Sequence, residues 1–165
     1  MSELPKTYDP AALEGPIFAQ WLSGGYFGRD DSTIEAPEDA YTIVIPPPNV
    51  TGMLHMGHAL NNTLQDILVR RARMQGLKTR WVVGSDHAGI ATQNKVEQKL
   101  AGEGLTRFDL GREAFVQSCW QWRREYGSTI IEQLKAMGCS CDFANEKFTM
   151  DPAYAAAIRR VFVQW

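Results

Sequence analysis

Two short apolar runs on either side of a helical segment constrain the fold of this chain most. Residues 41–45 form a continuous apolar run, which is typical of a strand covered on both faces. A second run starts at Trp81, forty residues after the first, and apolar side chains recur at helical spacing between positions 57 and 74. Strand, helix and strand at this separation predict a parallel βαβ unit with a right-handed crossover.

Helical patterns also flank this unit. Residues 11–27 predict a short amphipathic helix, residues 29–39 a polar loop, and residues 115–137 a long helix that ends before Gly138. A last apolar stripe runs to the final residue and has no terminating glycine; it consists of Ile158, Val161, Phe162 and Trp165. We therefore expect the chain to be the front portion of a longer protein.

Composition excludes several classes of protein. The 17 Lys and Arg residues against 19 Asp and Glu give a formal charge of −2, unlike a domain built to coat DNA. No apolar run is long enough to span a bilayer, and the first residues do not resemble a secretory signal. Three cysteines without a disulfide pattern indicate reduced thiols. These features predict a cytoplasmic protein without a membrane partner, and none of them implies an oligomer.

The segments that follow the two predicted strands are the candidate site, because ligands bind beyond the carboxyl ends of parallel strands. Residues 51–58 precede a helix, whose first backbone N–H groups attract phosphate. His55 and His58 lie three residues apart on one side of that turn, and Gly57 lets a base or sugar approach the backbone. This pattern predicts a nucleoside triphosphate site with imidazole N–H groups directed at the phosphates.

Two other interpretations of the histidines stay open. They form half of a metal site completed by His87 or by Cys139 and Cys141, or they are surface residues that cap a helix. The glycine-rich loops of dinucleotide dehydrogenases and P-loop enzymes do not occur in the sequence, so both of those classes are disfavoured.

Two segments carry a resemblance to a known family. The stretch PPPNVTGMLHMGHAL at residues 46–60 resembles the signature of class I aminoacyl-tRNA synthetases, with HMGH in place of the HIGH motif. PPPNVTG is similar to the valyl enzymes of that class. The stretch GSDHAGIATQ at residues 84–93 matches the same enzymes and departs only at Ser85, where threonine is usual. The similarity extends from Tyr8 to Trp165.

The resemblance implies an α/β fold, namely the first half of the Rossmann-like catalytic domain of this class: a parallel βαβ unit with flanking helices, truncated. Residues 1–40 would form a helical extension and loop, residues 41–138 the first half of the nucleotide-binding domain, and residues 139–165 the start of a segment toward an editing domain. The second signature of the class, Lys-Met-Ser-Lys-Ser, has no counterpart in this sequence.

The resemblance also implies an activity, valine–tRNA ligation. ATP with Mg²⁺ would activate valine to valyl-adenylate, and the valyl group would pass to tRNA(Val), which binds regions outside this chain. The implied catalytic residues are His55 and His58; these and Gly57 would bind ATP, and the amino acid would bind Pro47, Asn49 and Asp86. No metal-ligating set is implied. An alternative from another class is a non-catalytic remnant or interaction module that retains the ATP-binding signature.

Several matched residues also have simpler interpretations. Pro47 stiffens a strand-to-helix turn in any case, and Asp86 could be the N-cap of a helix near Gly89. Trp120, Trp122 and Trp165 have the spacing of packing residues rather than of tRNA-stacking platforms. The resemblance assigns no firm chemistry to Thr51, His87 or Gln93.

Overall fold

The computed structural model describes residues 7–165. Its helices are α1 (Pro10–Ser23), α2 (Met56–Met74), α3 (Gly89–Gly102), α4 (Arg107–Ala136) and α5 (Pro152–Gln164). Its strands are β1 (Ala40–Val44), β2 (Lys78–Val82), β3 (Gly84–Ser85) and β4 (Lys147–Phe148). Short 3₁₀ turns cover Asp31–Thr33, Pro37–Asp39 and Phe143–Asn145.

The predicted parallel βαβ unit is confirmed. β1 and β2 pair in parallel, with Ala40 opposite Lys78 and Val44 opposite Val82. The pairing continues one residue further, where the Ile45 N–H donates to the Val82 carbonyl at 2.9 Å. α2 connects the two strands, so the carboxyl ends of both strands lie at the same edge of the sheet.

A second, smaller parallel pair extends the structure beyond β2. β3 pairs with β4, with Gly84 opposite Lys147 and Ser85 opposite Phe148. The Lys147 N–H also donates to the Val83 carbonyl at 3.0 Å. The sequence does not predict this pair, because strands of two residues carry no periodicity. The pairing brings the residues after β4 next to the residues after β3.

The core lies between the sheet and α4. Its buried residues are Ile45, Val50, Val69, Trp81, Val83, Ile130, Ile131, Leu134, Cys139, Cys141 and Phe148. A smaller cluster of Val96, Leu100 and Phe115 joins α3 to α4. Burial of each large apolar side chain contributes about 1.5–3 kcal/mol to the free energy of unfolding. Because α4 supplies residues to both clusters, it holds them in one structure.

A polar network fixes α2 against the loop that follows α4. The Asp66 carboxylate accepts hydrogen bonds from the Ser140 N–H at 2.9 Å and from Arg70 Nε at 2.6 Å. Arg70 also donates to the Gly138 carbonyl at 2.8 Å. Each group of this half-buried network has a partner, which is the condition for burying charge at low cost. The network anchors the helix whose other end carries the two histidines.

The prediction that residues 41–45 form a strand covered on both faces is wrong for the described residues. Within residues 7–165, β1 pairs only with β2, and Val44 is 66 % exposed. The apolar face of α2 is also largely exposed, at Leu60, Leu64, Ile67 and Leu68. A run of apolar residues in the sequence predicts burial. Whether it is buried depends on which elements pack against it in the tertiary structure.

The helix expected over residues 11–27 ends earlier, at Ser23. Phe18 and Trp21 of this helix contact the ring of Phe27. The prediction of a packing role is confirmed for Trp122, which donates its indole N–H to the Val50 carbonyl at 2.7 Å. It is wrong for Trp165, whose side chain is fully exposed.

Within residues 7–165, no helix has the length and apolar character that a membrane span requires.

Candidate functional site

The segments that follow β1 and β2 meet at the carboxyl edge of the sheet. Asn49 and Asp86 form an isolated parallel bridge. In it, the Asp86 N–H donates to the Pro48 carbonyl at 2.8 Å, and the Val50 N–H donates to the Asp86 carbonyl at 3.0 Å. The structure therefore places two of the predicted site residues, Asn49 and Asp86, opposite each other on paired backbone segments.

His55 and His58 form a reciprocal cap at the start of α2. His55 Nδ1 accepts the Gly57 N–H at 3.1 Å, and His58 Nδ1 accepts the His55 N–H at 3.2 Å. The centroids of the two rings are 4.0 Å apart. Because each Nδ1 accepts a hydrogen bond, the proton of each neutral ring is on Nε2. Capping and ligand binding are therefore compatible, since capping uses Nδ1 and leaves the Nε2–H as a donor.

Glycine at position 57 is explained by a close contact that the sequence did not reveal. A Cβ at this position would lie 2.9 Å from Cε1 of His55, too close for the ring to fold over the first turn of α2. The expectation that this glycine admits a ligand to the backbone stays a prediction, and the structure shows that it leaves room for the ring of His55.

The electrostatics at this cap favour neutral imidazole. Partial burial lowers the pKa of His58 below its ordinary value of 6.5, and the positive charge of protonated His55 lowers it further. His58 is therefore neutral at pH 7. The His58 ring then has one N–H donor for an anionic ligand without a prior protonation step.

A concave site of about 490 Å³ surrounds this cap. Its lining comprises residues 46–49, 51–55, 57, 58 and 61. The structure thus places Pro47, Asn49, His55, Gly57 and His58 around one cavity. Asp86 is not part of the lining and lies beside it, across the bridge to Asn49. The bridge joins the backbones of the two segments, and the Asp86 carboxylate itself contacts Thr149 and His87.

Asp86 does not cap α3, so that interpretation of the residue is wrong. The N-cap of α3 is Ala88, which has a left-handed backbone (φ 53°) and no capping side chain. The Asp86 carboxylate instead accepts a hydrogen bond from the Thr149 hydroxyl at 3.0 Å. The sequence did not identify Thr149, because it is 63 residues away and belongs to no motif.

The metal-site interpretation of the histidines has no support in the described residues. No group of three or more His, Cys, Asp or Glu side chains there is arranged to hold an ion. Cys139 and Cys141 are buried in the core at 2 % and 0 % exposure. His87 and Gln93 line a separate cavity of about 290 Å³.

A match to a family model decides which class of protein this chain belongs to. Residues 16–165 match the family model described as tRNA synthetases class I (I, L, M and V). The chain belongs to this family. The HMGH segment of this class I synthetase chain lies within the match, as do Asp86 and Thr149.

Two relatives narrow the resemblance from the whole family to proteins named valine--tRNA ligase. The chain is 55 % identical over 162 residues to a protein named valine--tRNA ligase from Geobacter sulfurreducens, covering 98 % of this chain and 18 % of the relative. It is 56 % identical over 161 residues to the valine--tRNA ligase of Syntrophotalea carbinolica, with the same coverage. This class I synthetase chain therefore spans about a fifth of the length of these relatives.

A solved structure supports the fold. The chain aligns with a TM-score of 0.73 and 20 % identity to the agnB2 LeuRS of Agrobacterium radiobacter K84, crystallised in a ternary complex with tRNA and LeuAMS. The alignment covers 96 % of this chain and 18 % of that one. At this identity the likeness concerns the fold, and it confirms the expected α/β architecture of a class I Rossmann-like catalytic domain.

Proposed function

We propose that this chain forms part of the valine-activating site of a valine–tRNA ligase. The observation that carries the proposal is the Asn49–Asp86 bridge, because it pairs the backbone of Asp86 with a segment that lines the cavity of both imidazoles. The similarity to valine--tRNA ligases supports valine as the amino acid.

The proposed reaction is an in-line displacement at phosphorus. A carboxylate oxygen of valine attacks the α-phosphorus of ATP, a P–O bond forms, and the bond to the pyrophosphate leaving group breaks. The products are valyl-adenylate and pyrophosphate. Positioning and stabilisation of charge on the phosphate oxygens supply the rate, so the protein contributes no nucleophile.

The residues at the start of α2 would bind the nucleotide. The Nε2–H groups of His55 and His58 would donate to phosphate oxygens, and Gly57 would let the nucleotide approach the helix terminus. Mg²⁺ would arrive with ATP as part of the substrate, because Mg²⁺ is commonly bound through substrate phosphates and water. The absence of a cluster of ligands for it in the described residues is compatible with this arrangement.

The residues at the edge of the sheet would bind the amino acid. Asp86 would accept hydrogen bonds from the α-ammonium group, a charge-assisted contact. Pro47 and Asn49 would form a rigid wall beside it. We propose transfer of the valyl group to tRNA(Val) for a protein of the relatives' length, of which this chain spans 18 %.

The test is valine-dependent exchange of pyrophosphate into ATP. We would measure it for the chain alone and for a hybrid in which the chain replaces the matching region of the Geobacter sulfurreducens enzyme. In the hybrid, His58→Ala should lower kcat about 10²–10³-fold, since it removes one donor to the developing charge. Asp86→Asn should raise the KM for valine at least about tenfold, since it removes the charge that pairs with the ammonium group.

Glu113→Gln is the matched control for Asp86→Asn, because it makes the same acid-to-amide change on the exposed surface of α4. It should leave both constants unchanged. A correctly folded hybrid without valine-dependent exchange would contradict the proposal and favour the non-catalytic alternative. Exchange that survives both site substitutions would contradict the residue assignments.

A further inference from the structure

Three polar groups converge on the hydroxyl of Thr149, just after β4. Thr149 Oγ1 lies 3.0 Å from Asp86 Oδ1, 3.0 Å from the backbone nitrogen of His87 and 2.6 Å from His87 Nδ1. His87 Nδ1 is also 3.3 Å from Asp86 Oδ1. These contacts join residues from two segments that are more than sixty positions apart in the chain.

The positions of the protons follow from the capacity of a hydroxyl, which has one donor and two acceptor lone pairs. An ionised carboxylate only accepts, so the hydroxyl proton goes to Asp86. The backbone N–H of His87 only donates, so it uses one lone pair. The remaining lone pair faces His87 Nδ1, which must therefore carry its proton. All three bonds of the hydroxyl are then satisfied, and Nε2 of His87 takes no part in them.

The backbone around Thr149 is built to hold this position. The Thr149 N–H donates to the Ser85 carbonyl at 3.3 Å, which continues the β3–β4 pairing. The Phe148 N–H donates to the Asp151 carboxylate at 2.8 Å, which fixes the turn after β4. The hydroxyl thus stands on the backbone of two paired strands rather than on a free loop, as precise positioning of a site requires.

We propose that Thr149 is a positioning residue for the amino-acid site. Its hydroxyl fixes one carboxylate oxygen of Asp86 and holds His87 as the Nδ1–H tautomer. Within residues 7–165 no hydrogen bond reaches Asp86 Oδ2, and the side chain is 34 % exposed, so this oxygen is available to an ammonium group. The identity of the ligand rests on the proposed function, whereas the arrangement of the three groups does not.

The first test needs no ligand and uses the 165-residue chain. Nitrogen-15 NMR of the imidazoles should show the Nδ1–H tautomer for His87 and the Nε2–H tautomer for His55 and His58. Thr149→Val, which replaces the hydroxyl with a methyl group, should speed exchange of the His87 amide proton about tenfold or more, because that amide loses its acceptor. Thr149→Ser keeps the hydroxyl and should restore protection. An Nε2–H tautomer at His87, or unchanged exchange in Thr149→Val, would overturn the proposal.

The second test is a titration of the same chain with valine, followed by NMR. Thr149→Val should weaken binding about tenfold, a loss typical of one hydrogen bond to a charged group. Thr149→Ser should stay within about twofold of the unchanged chain. Thr129→Val is the matched control, because its hydroxyl donates to the Glu125 carbonyl within α4, away from Asp86 in the described part of the chain; it should have no effect.

The two tests separate the two proposals. If the unchanged chain does not bind valine, the proposed function loses support for this chain, and the tautomer and amide exchange still decide the role of Thr149. If the chain binds valine and Thr149→Val binds it equally well, the positioning role is wrong although the proposed function stands.

Discussion

In each imidazole of the His55–His58 pair, one nitrogen bonds the chain and the other is free for the ligand that we propose. The Nδ1 atoms accept backbone N–H groups at the start of α2, and no hydrogen bond from the described residues reaches either Nε2. The cap fixes the tautomer and the direction of each ring before any ligand binds. A capping role and a ligand-binding role are therefore two uses of the same side chain, and finding one does not exclude the other.

At this scale we predict that His55→Asn raises the pKa of His58 toward its ordinary value of 6.5. Burial lowers this pKa first and the charge of His55 second, and the substitution removes the charge and part of the burial. Asparagine is a good N-cap, so α2 should keep its first turn. Proton NMR of the imidazole resonances against pH measures the effect. An unchanged or lower pKa would contradict the electrostatic account.

The lowered pKa has a consequence for stability. Because the unfolded chain binds the His58 proton more tightly than the folded chain does, acid favours unfolding. The contribution of His58 is complete above pH 6.5 and is lost as the pH falls through 6.5 toward its lower native pKa. His55→Asn should therefore flatten the fall in the free energy of unfolding over this range, measured by urea denaturation at several pH values.

At the scale of elements, the pairing of β3 with β4 positions the site. Only two residues of each strand pair, yet this contact brings Thr149 to Asp86. Gly84 makes the pairing possible, because a Cβ there would collide with the Lys147 carbonyl oxygen. A backbone atom within a sheet cannot move aside as the end of a flexible side chain can.

We therefore predict that Gly84→Ala destabilises the chain by about 2–3 kcal/mol, a cost typical of overpacking a buried position. Gly102→Ala is the matched control, since apart from its chain neighbours its Cβ would meet nothing within 4 Å at the end of α3. That substitution should stabilise the chain by up to about 1 kcal/mol through helix propensity. Urea denaturation measures both, and equal effects of the two substitutions would show that the close contact at Gly84 is unimportant.

At the scale of the whole molecule, the burial of Cys139 and Cys141 depends on α2, β2 and α4 together. Both side chains lie in the main core, whereas Cys119 is only half-buried on α4. Burial raises the pKa of Cys139 to about 12 and raises that of Cys141 as well. The thiolate is the reactive form, so both thiols should be inert while the fold is intact.

The corresponding prediction concerns alkylation by iodoacetamide near pH 8, read by mass spectrometry of peptides. Cys119 should react first, although slowly, because burial and the charge of Glu97 raise its pKa too. Cys139 and Cys141 should react only when urea unfolds the chain. Fast labelling of Cys139 in the absence of urea would show that the core opens locally.

In the molecule as a whole, several large apolar side chains remain exposed. The outer face of α2 and most of α5 expose large apolar residues, among them Leu60, Leu64, Phe162 and Trp165. The apolar periodicity of the sequence predicted helical faces at these positions. Within residues 7–165 no element packs against these apolar faces, so the helices form as predicted and their apolar side chains stay exposed.

The sequence by itself determined the features that depend on neighbours along the chain. Helical spacing, the run at residues 41–45 and the short motif at residues 55–58 were sufficient for the βαβ unit and for the cap with its two histidines. They also placed Asp86 at the correct edge, because parallel strands share the direction of their carboxyl ends.

Only the tertiary structure decided which groups complete the site. The contact between Thr149 and Asp86 spans 63 positions and depends on a pair of two-residue strands. No local pattern encodes such a contact, since a hydroxyl has the same chemistry in any loop and acquires a role only from the groups that folding brings to it. Periodicity acts over a few residues, whereas the geometry of a site is set by the packing of the whole chain.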